Sequence, residues 1–260
     1  MEEKVSHKIG RYAITAGDRI VNAAILIVIL LMLLYATYAI WDDYSIVKAA
    51  DPGNFTEYSP AASTLKFADF AAKNPDVIGW LTIPDTDIDY PLVQGDDLYY
   101  LNHNALREES LSGALFLTQE NSPGFTDFNS IIYGHHMSEG RMFGDLDKFL
   151  DADFFDAHPY ARIYYDSSRR QGEGFRPDGS WAWHTVSLTS IAECRGDDSV
   201  WYSPGMTDNA FKEAFLFAAL TDAVHYRDIG ATPDDHLIEL STCQSADSNG
   251  RTILTGRIEE

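Results

Sequence analysis

Residues 235–260 read DHLIELSTCQSADSNGRTILTGRIEE, two runs rich in Leu, Ile and Thr around a segment of turn formers. Such a pattern reads as two β-strands joined by a loop. Successive side chains of a strand point to opposite sides, so Ile238 and Leu240 share one face and Glu239, Ser241 and Cys243 the other. The first pair is expected to face the core, and the cysteine to face away from the packing. A thiol held there at a strand end suits a nucleophile, given a base to take its proton and a donor for the oxyanion. If the two runs pair antiparallel through 244–250, Arg251 sits beside Cys243. Arg257, six residues further at ~3.3 Å each, then lies roughly 20 Å along the strand.

Working back from these two strands, six more short runs have β texture: VIGWLTI (77–83), DIDYPLV (87–93), GALFLTQ (113–119), NSIIYGHH (129–136), ARIYYDSS (161–168) and WHTVSLTSIAE (183–193). Gly, Pro, Asn and Asp separate them. Eight such runs suggest a mainly β protein, a barrel or a sandwich. Two stretches have helical spacing instead. Ser59 is placed to cap a helix with Pro60 at its first position and Leu65, Phe67, Phe70 and Ala71 on its apolar face, ending at Asn74-Pro75. The second, Asp208–Tyr226, sets Phe211, Phe215, Ala218, Leu220 and Val224 on one face just before the cysteine strand.

The N-terminal region differs from the rest. Ile20–Trp41 has no charge over 22 residues, which at ~1.5 Å rise per residue span roughly 33 Å, a transmembrane length. Its apolar core is longer than that of a cleaved signal peptide and ends in Tyr35, Tyr38 and Trp41, an interfacial aromatic end. Lys4, Lys8, Arg11 and Arg19 precede it and Asp42 and Asp43 follow, so the positive-inside bias leaves the N-terminus in the cytoplasm. The expected division is a cytoplasmic tail (1–19), a transmembrane helix (20–41), a juxtamembrane linker with the capped helix (42–72) and an exported domain (73–260).

The part beyond the apolar run, 42–260, keeps 15 Lys/Arg against 37 Asp/Glu. Nucleic acid is therefore excluded as a partner, since binding it needs a basic surface to neutralise phosphates. The acidic excess reads as a solvated surface. No CxxC or HExxH spacing, calcium-loop pattern or glycine-rich phosphate loop appears, so no metal and no cofactor is expected. Cys194 and Cys243 are the two cysteines of the chain. They could pair in an oxidising compartment, but Cys194 follows the apolar run TVSLTSIAE and reads as a small, partly buried residue. Among eight histidines, NSIIYGHHMSEGRMFGDL (129–146) stands out: a strand runs into a Gly-His turn that lets an imidazole leave the sheet edge. On composition alone, His135 and His136 qualify equally as the base.

IIYGHHM (131–137), IELSTCQ (238–244) with Arg251 after it, NPDVIGWLTIPDTDIDYPLVQ (74–94) and GALFL (113–117) together resemble the class B sortases, over roughly Lys73 to Ile258. These are membrane-anchored cysteine transpeptidases of Gram-positive bacteria. The resemblance implies a closed eight-stranded β-barrel with an N-terminal helix and a helical insertion before the cysteine strand. It implies Cys243 as nucleophile, His135 rather than His136 as general acid/base, and Arg251 as oxyanion donor. Ser241, two residues before the cysteine, would line the substrate groove, as would Gln244. QGDDLYYLNHN (94–104) resembles the family's peptide-contacting helix and places Asp97 and Leu101 near the substrate. Class B members commonly have Asn at the position of Asp97 and an acidic residue at that of Gln244, and the loop from Cys243 to Arg251 is short.

The implied substrate is a surface protein with a C-terminal sorting motif, cleaved after Thr and joined to an amine of peptidoglycan precursor or pilin by a monomeric enzyme on the outer face of the membrane. Three rivals remain: a secreted cysteine peptidase, a catalytically silent binding barrel, and a class C pilin polymerase. Against the last, Gly53 follows Asp51-Pro52 where that class has an aromatic residue in its lid.

Overall fold

The computed structural model describes residues 2–243 and 249–259, with side chains over 17–242 and 249–259. The chain forms two compact units, 1–45 and 46–260. The first consists of helix α1 (Glu2–Ala49) up to Ser45. Its stretch Gly17–Ala49 is long and apolar enough to cross a membrane.

Among the described residues the second unit is built on nine strands: β1 (Val77–Thr82), β2 (Asp89–Val93), β3 (Leu115–Leu117), β4 (Asn129–Tyr133), β5 (Tyr160–Asp166), β6 (Trp181–Arg195), β7 (Ala223–Tyr226), β8 (Leu237–Cys243) and β9 (Gly250–Ile258). Their order is β5-β1-β2-β3-β4-β8-β9-β6-β7, and a further β5–β6 pairing closes the first eight into a barrel. Closure pairs the edges that an open sheet would leave free. β2–β3 and β4–β8 are parallel and the other pairings antiparallel. All eight barrel strands fall on the eight runs of β texture.

β7 lies outside the ring on β6, where the sequence pattern extends a helix. Helix α5 (Asn209–Thr221) stops earlier, at Asp222, and Ala223–Tyr226 pairs with Ser190–Ala192 instead. Four residues are too few to separate a strand period from a helical one. Phe215 and Ala218 are buried as expected, whereas Phe211, Leu220 and Val224 are exposed.

Helix α2 (Thr64–Lys73) starts later than expected. Ser59 to Ala62 form a turn on the Ser59 carbonyl, and Ser63 rather than Ser59 caps the helix by accepting from Lys66 N at 3.3 Å. This shift leaves Leu65 79% exposed, while Phe67, Phe70 and Ala71 pack inside. α3 (Asp97–Tyr100) follows β2, and α4 (Ala152–Ala157) precedes β5.

Two apolar cores flank the strands that matter most for function. Ile238 and Leu240 of β8 and Leu254 of β9 belong to the main core with Trp80, Leu92 and Phe143. The opposite face is also covered. There Trp201 and Phe215 of the insertion pack with Phe128, Ala192 and Ile253, each large aromatic removing ~150–250 Å² from water. The expectation that Glu239 and Ser241 face away from the packing is therefore corrected: they are 0% and 1% exposed, because the insertion roofs that side of the sheet.

Candidate active site

Three neighbouring strands bring the sequence-predicted residues together. β8 and β9 pair antiparallel from Leu237↔Arg257 to Cys243↔Arg251, so the cysteine ending one strand lies directly across from the arginine near the start of the next. β4 runs parallel to β8, with Tyr133↔Ser241 as its last registered pair, and Gly134 N continues that edge by donating to the Ser241 carbonyl at 3.2 Å. β4 ends at Tyr133, and His135 follows after Gly134, at the turn beside the end of β8 that carries Cys243.

Gly134 is required at this turn. A Cβ there would lie 2.5 Å from Leu115 Cδ2 and 2.6 Å from Phe143 Cδ2, so any side chain would push the turn off the barrel rim. His135 is half-buried, and its Nε2 lies 2.8 Å from the Leu101 carbonyl. A carbonyl oxygen only accepts, so Nε2 carries a proton and Nδ1 remains for exchange in the neutral ring. His136 is committed elsewhere, with Nε2 2.7 Å from Asp147 Oδ2. The two histidines that sequence composition left equivalent are thus separated by their surroundings.

Arg251 is half-buried and donates from Nη1 to the Gly250 carbonyl at 2.9 Å. Gly196 packs against it: a Cβ on Gly196 would stand 3.1 Å from Arg251 Cζ and Nε and 2.8 Å from Asn249 Oδ1. Arg257 lies at the far end of the same strand, in ion pairs with Glu259 at 3.0 Å and Asp235 at 3.9 Å.

Beside these residues runs an open groove lined by Asp97, Leu101, Phe116, Tyr133, Tyr202 and Pro204. Asp97 and Leu101, singled out from the sequence, both line it. The Asp97 carboxylate is held in the wall, accepting from Thr118 Oγ1 at 2.9 Å and from Gln119 N at 3.0 Å. Ser241 sits beneath: its hydroxyl is 2.7 Å from the Tyr202 hydroxyl. Tyr202 also stacks on Tyr133, with ring centroids 6.3 Å apart and planes 10° from parallel. Burial pushes both phenols well above the usual tyrosine range, so they stay neutral hydrogen-bonding groups. Tyr202 escaped the sequence reading because it stands in the turn-rich stretch WYSPG, where no periodicity marks it. Tyr133 was within the quoted strand, but nothing in the alternation distinguishes a groove-lining ring from a core one. Gln244 lies outside the described residues.

Cys194 is a free, half-buried thiol, pushed up to about 12 chiefly by burial, with a Tyr202 hydrogen bond opposing. A thiol so hard to ionise is a poor nucleophile. It pairs in register with Arg251 from the β6 side, so β9 separates it from Cys243. Two strand spacings are about 9.6 Å, beyond the ~7 Å Cα limit for a disulfide.

Residues 81–259 match the family model described as the Sortase domain. The chain is 34% identical to Sortase B of Listeria monocytogenes over 193 residues, 73% of this chain and 72% of that one. A solved class B sortase of Streptococcus pyogenes, described as involved in pilus biogenesis, superposes with TM-score 0.63 at 34% identity, covering 74% of this chain and 97% of that one. The structure of a Staphylococcus aureus sortase B–substrate complex shares the fold, with TM-score 0.66 at 21% identity over 85% of this chain and 97% of that one.

Proposed function

The chain belongs to the sortase family, in class B, and on that premise we propose that it cleaves a C-terminal sorting motif after Thr and transfers the acyl group to a cell-wall or pilin amine. The observation that supports this reading is the β4–β8–β9 pairing, in which the strand ending at Cys243 is flanked by the strand end that leads to His135 and by the strand that carries Arg251. In the proposed sequence the Cys243 thiolate attacks the Thr carbonyl. Arg251 donates hydrogen bonds to the oxyanion that forms, and His135 protonates the departing amine. The acceptor amine then attacks the thioacyl carbonyl, giving its proton to the imidazole and releasing the thiolate.

In this reading the peptide lies along the groove, against Leu101 and Asp97. Ser241 acts with Tyr202, which it holds, and Gln244 flanks the nucleophile. The acceptor can be a peptidoglycan precursor or a pilin, and kinship with a class B sortase involved in pilus biogenesis supports the second. The enzyme acts as a monomer. It is held by a transmembrane helix at 20–41, between a cytoplasmic tail and a linker that leads to the extracellular catalytic domain at 73–260.

Mass spectrometry of a sorting-motif peptide incubated with the enzyme tests the function. Expected are a thioacyl adduct on Cys243 and an amide product when an amine such as triglycine is added. Hydrolysis alone, unchanged by amine, would replace the transpeptidase reading with the peptidase one.

A further inference from the structure

Glu239 stands in the middle of the nucleophile strand with no access to solvent, between Ile131 of β4 and Thr255 of β9. A carboxyl buried this deeply is costly to charge unless it is paired, yet no cation hydrogen-bonds to it among the described residues. Its Oε1 accepts from Asn129 Nδ2 at 2.9 Å, and its Oε2 has no partner. Thr255 is its register neighbour, and Ser190 is that of Thr255 on β6. Both hydroxyls are likewise buried without partners. A row of unsatisfied polar groups thus crosses three strands under the insertion.

Asn129 connects this row to the groove. Besides Glu239, its Nδ2 donates to the Ser203 carbonyl at 3.0 Å and its Oδ1 accepts from Met206 N at 3.1 Å. Its main-chain carbonyl accepts from Gly205 N at 3.2 Å. One side chain therefore fastens both ends of the turn Ser203–Met206, and Tyr202, the groove wall, immediately precedes that turn. The Asn129 amide is oriented by what it meets on the β8 side, which is Glu239.

We propose that Glu239 is a positioning residue for peptide binding: through Asn129 it holds the Trp201–Met206 segment on β8, and so sets Tyr202 over Ser241 and the strand that carries Cys243. In the neutral form the carboxyl does this without leaving a charge buried under the insertion. Burial pushes its pKa up to about 8, opposed by the Asn129 hydrogen bond. The neutral acid keeps an acceptor for Asn129 without charge; the anion leaves a buried charge under the insertion. The titratable groups around it are Tyr133 from β4, Tyr202 from the insertion and Cys194 from β6, all of which its charge disfavours from ionising. Arg251 from β9 is the cation that acts on Tyr133 and Cys194 in the opposite sense. The groove wall is therefore expected to loosen as pH passes the Glu239 pKa.

This inference rests on the transpeptidase reading, so its test has an arm that needs no catalysis. With the full chain in detergent, KM for a sorting-motif peptide and hydrogen-exchange protection of residues 201–206 are followed from about pH 7 to about pH 9.5. In the wild type, KM should rise about fivefold or more and protection should fall. Glu239→Gln keeps the acceptor for Asn129 without a titrating proton, so it should rescue both readouts at high pH. Glu239→Leu should raise KM at every pH by loss of the Asn129 anchor, with a smaller effect on kcat. Wild-type pH dependence retained by Glu239→Gln in both readouts overturns the inference, and this holds even if Glu239→Leu fails to fold. If no peptide is cleaved by the wild type at any pH, the transpeptidase reading fails and the exchange arm still decides the role of Glu239.

Discussion

Cys243 and Arg251 are register partners at the adjoining ends of two antiparallel strands. An arginine so placed presents a planar fork of donors, whereas lysine offers a flexible point charge. Losing one oxyanion donor typically costs ~10²–10³ in rate. Arg251→Ala and Arg251→Lys should both lose acylation on that scale in a single-turnover peptide assay. Arg257, opposite Leu237 and paired with Glu259, should tolerate alanine with near-normal acylation. Greater damage from Arg257→Ala in a folded variant would displace the oxyanion assignment.

His135 and His136 are neighbours with different commitments, one on the Leu101 carbonyl beside the groove and the other on Asp147. His135→Ala should abolish turnover, while His136→Ala should retain most of it and lose a modest amount of stability with its hydrogen bond to Asp147, about 1 kcal/mol. The reverse order of activities would put the imidazole one residue along.

Gly196 touches the guanidinium of Arg251 without making a hydrogen bond to it. A methyl group there must push either Arg251 or Asn249, so Gly196→Ala should slow acylation by about tenfold, less than removal of the donor itself. KM should change little, because Gly196 does not line the groove. Wild-type acylation in this variant would mean that Arg251 is free to shift without consequence.

The raised pKa of Glu239 also has a consequence for folding. The native state holds this proton more tightly than the unfolded chain, whose glutamates have the ordinary value of 4.5. Its contribution to stability is thus fully present below that value, and is lost as pH rises to about 8. Thermal melting of the wild type should fall between about pH 5 and about pH 8 more steeply than that of Glu239→Gln. Parallel curves for the two would show that the carboxyl is not held neutral.

In the proposed topology, the uncharged run Ile20–Trp41 spans the membrane and its flanking charges put the barrel outside the cell under the positive-inside bias. Protease added to intact cells should therefore digest the part of the chain beyond Asp42. Protection of the barrel until the cells are lysed would reverse the topology.

Much of this protein is legible from residue order alone. The eight barrel strands, the pairing of Cys243 with Arg251 and the apolar N-terminal segment follow from alternation, turn formers and an unbroken stretch without charge, all properties of near neighbours along the chain. The family motifs carried the choice of His135 over His136, which composition left even; the separate partners of the two rings, on Leu101 and Asp147, come from segments 34 and 11 residues away. Other features depended on which distant surfaces meet. Ser63 replaced Ser59 as the cap because a turn on the Ser59 carbonyl came first, and β7 arose where four residues found an unpaired stretch of β6. Period 2 in β8 separates two faces but does not say whether either is open. That was decided by Trp201 and Phe215, which roof the side carrying Glu239 and Ser241 and turn an expected solvent face into a buried polar row. Strand period is a property of the backbone, whereas burial is a property of whatever packs against it, and only the folded chain supplies that second surface.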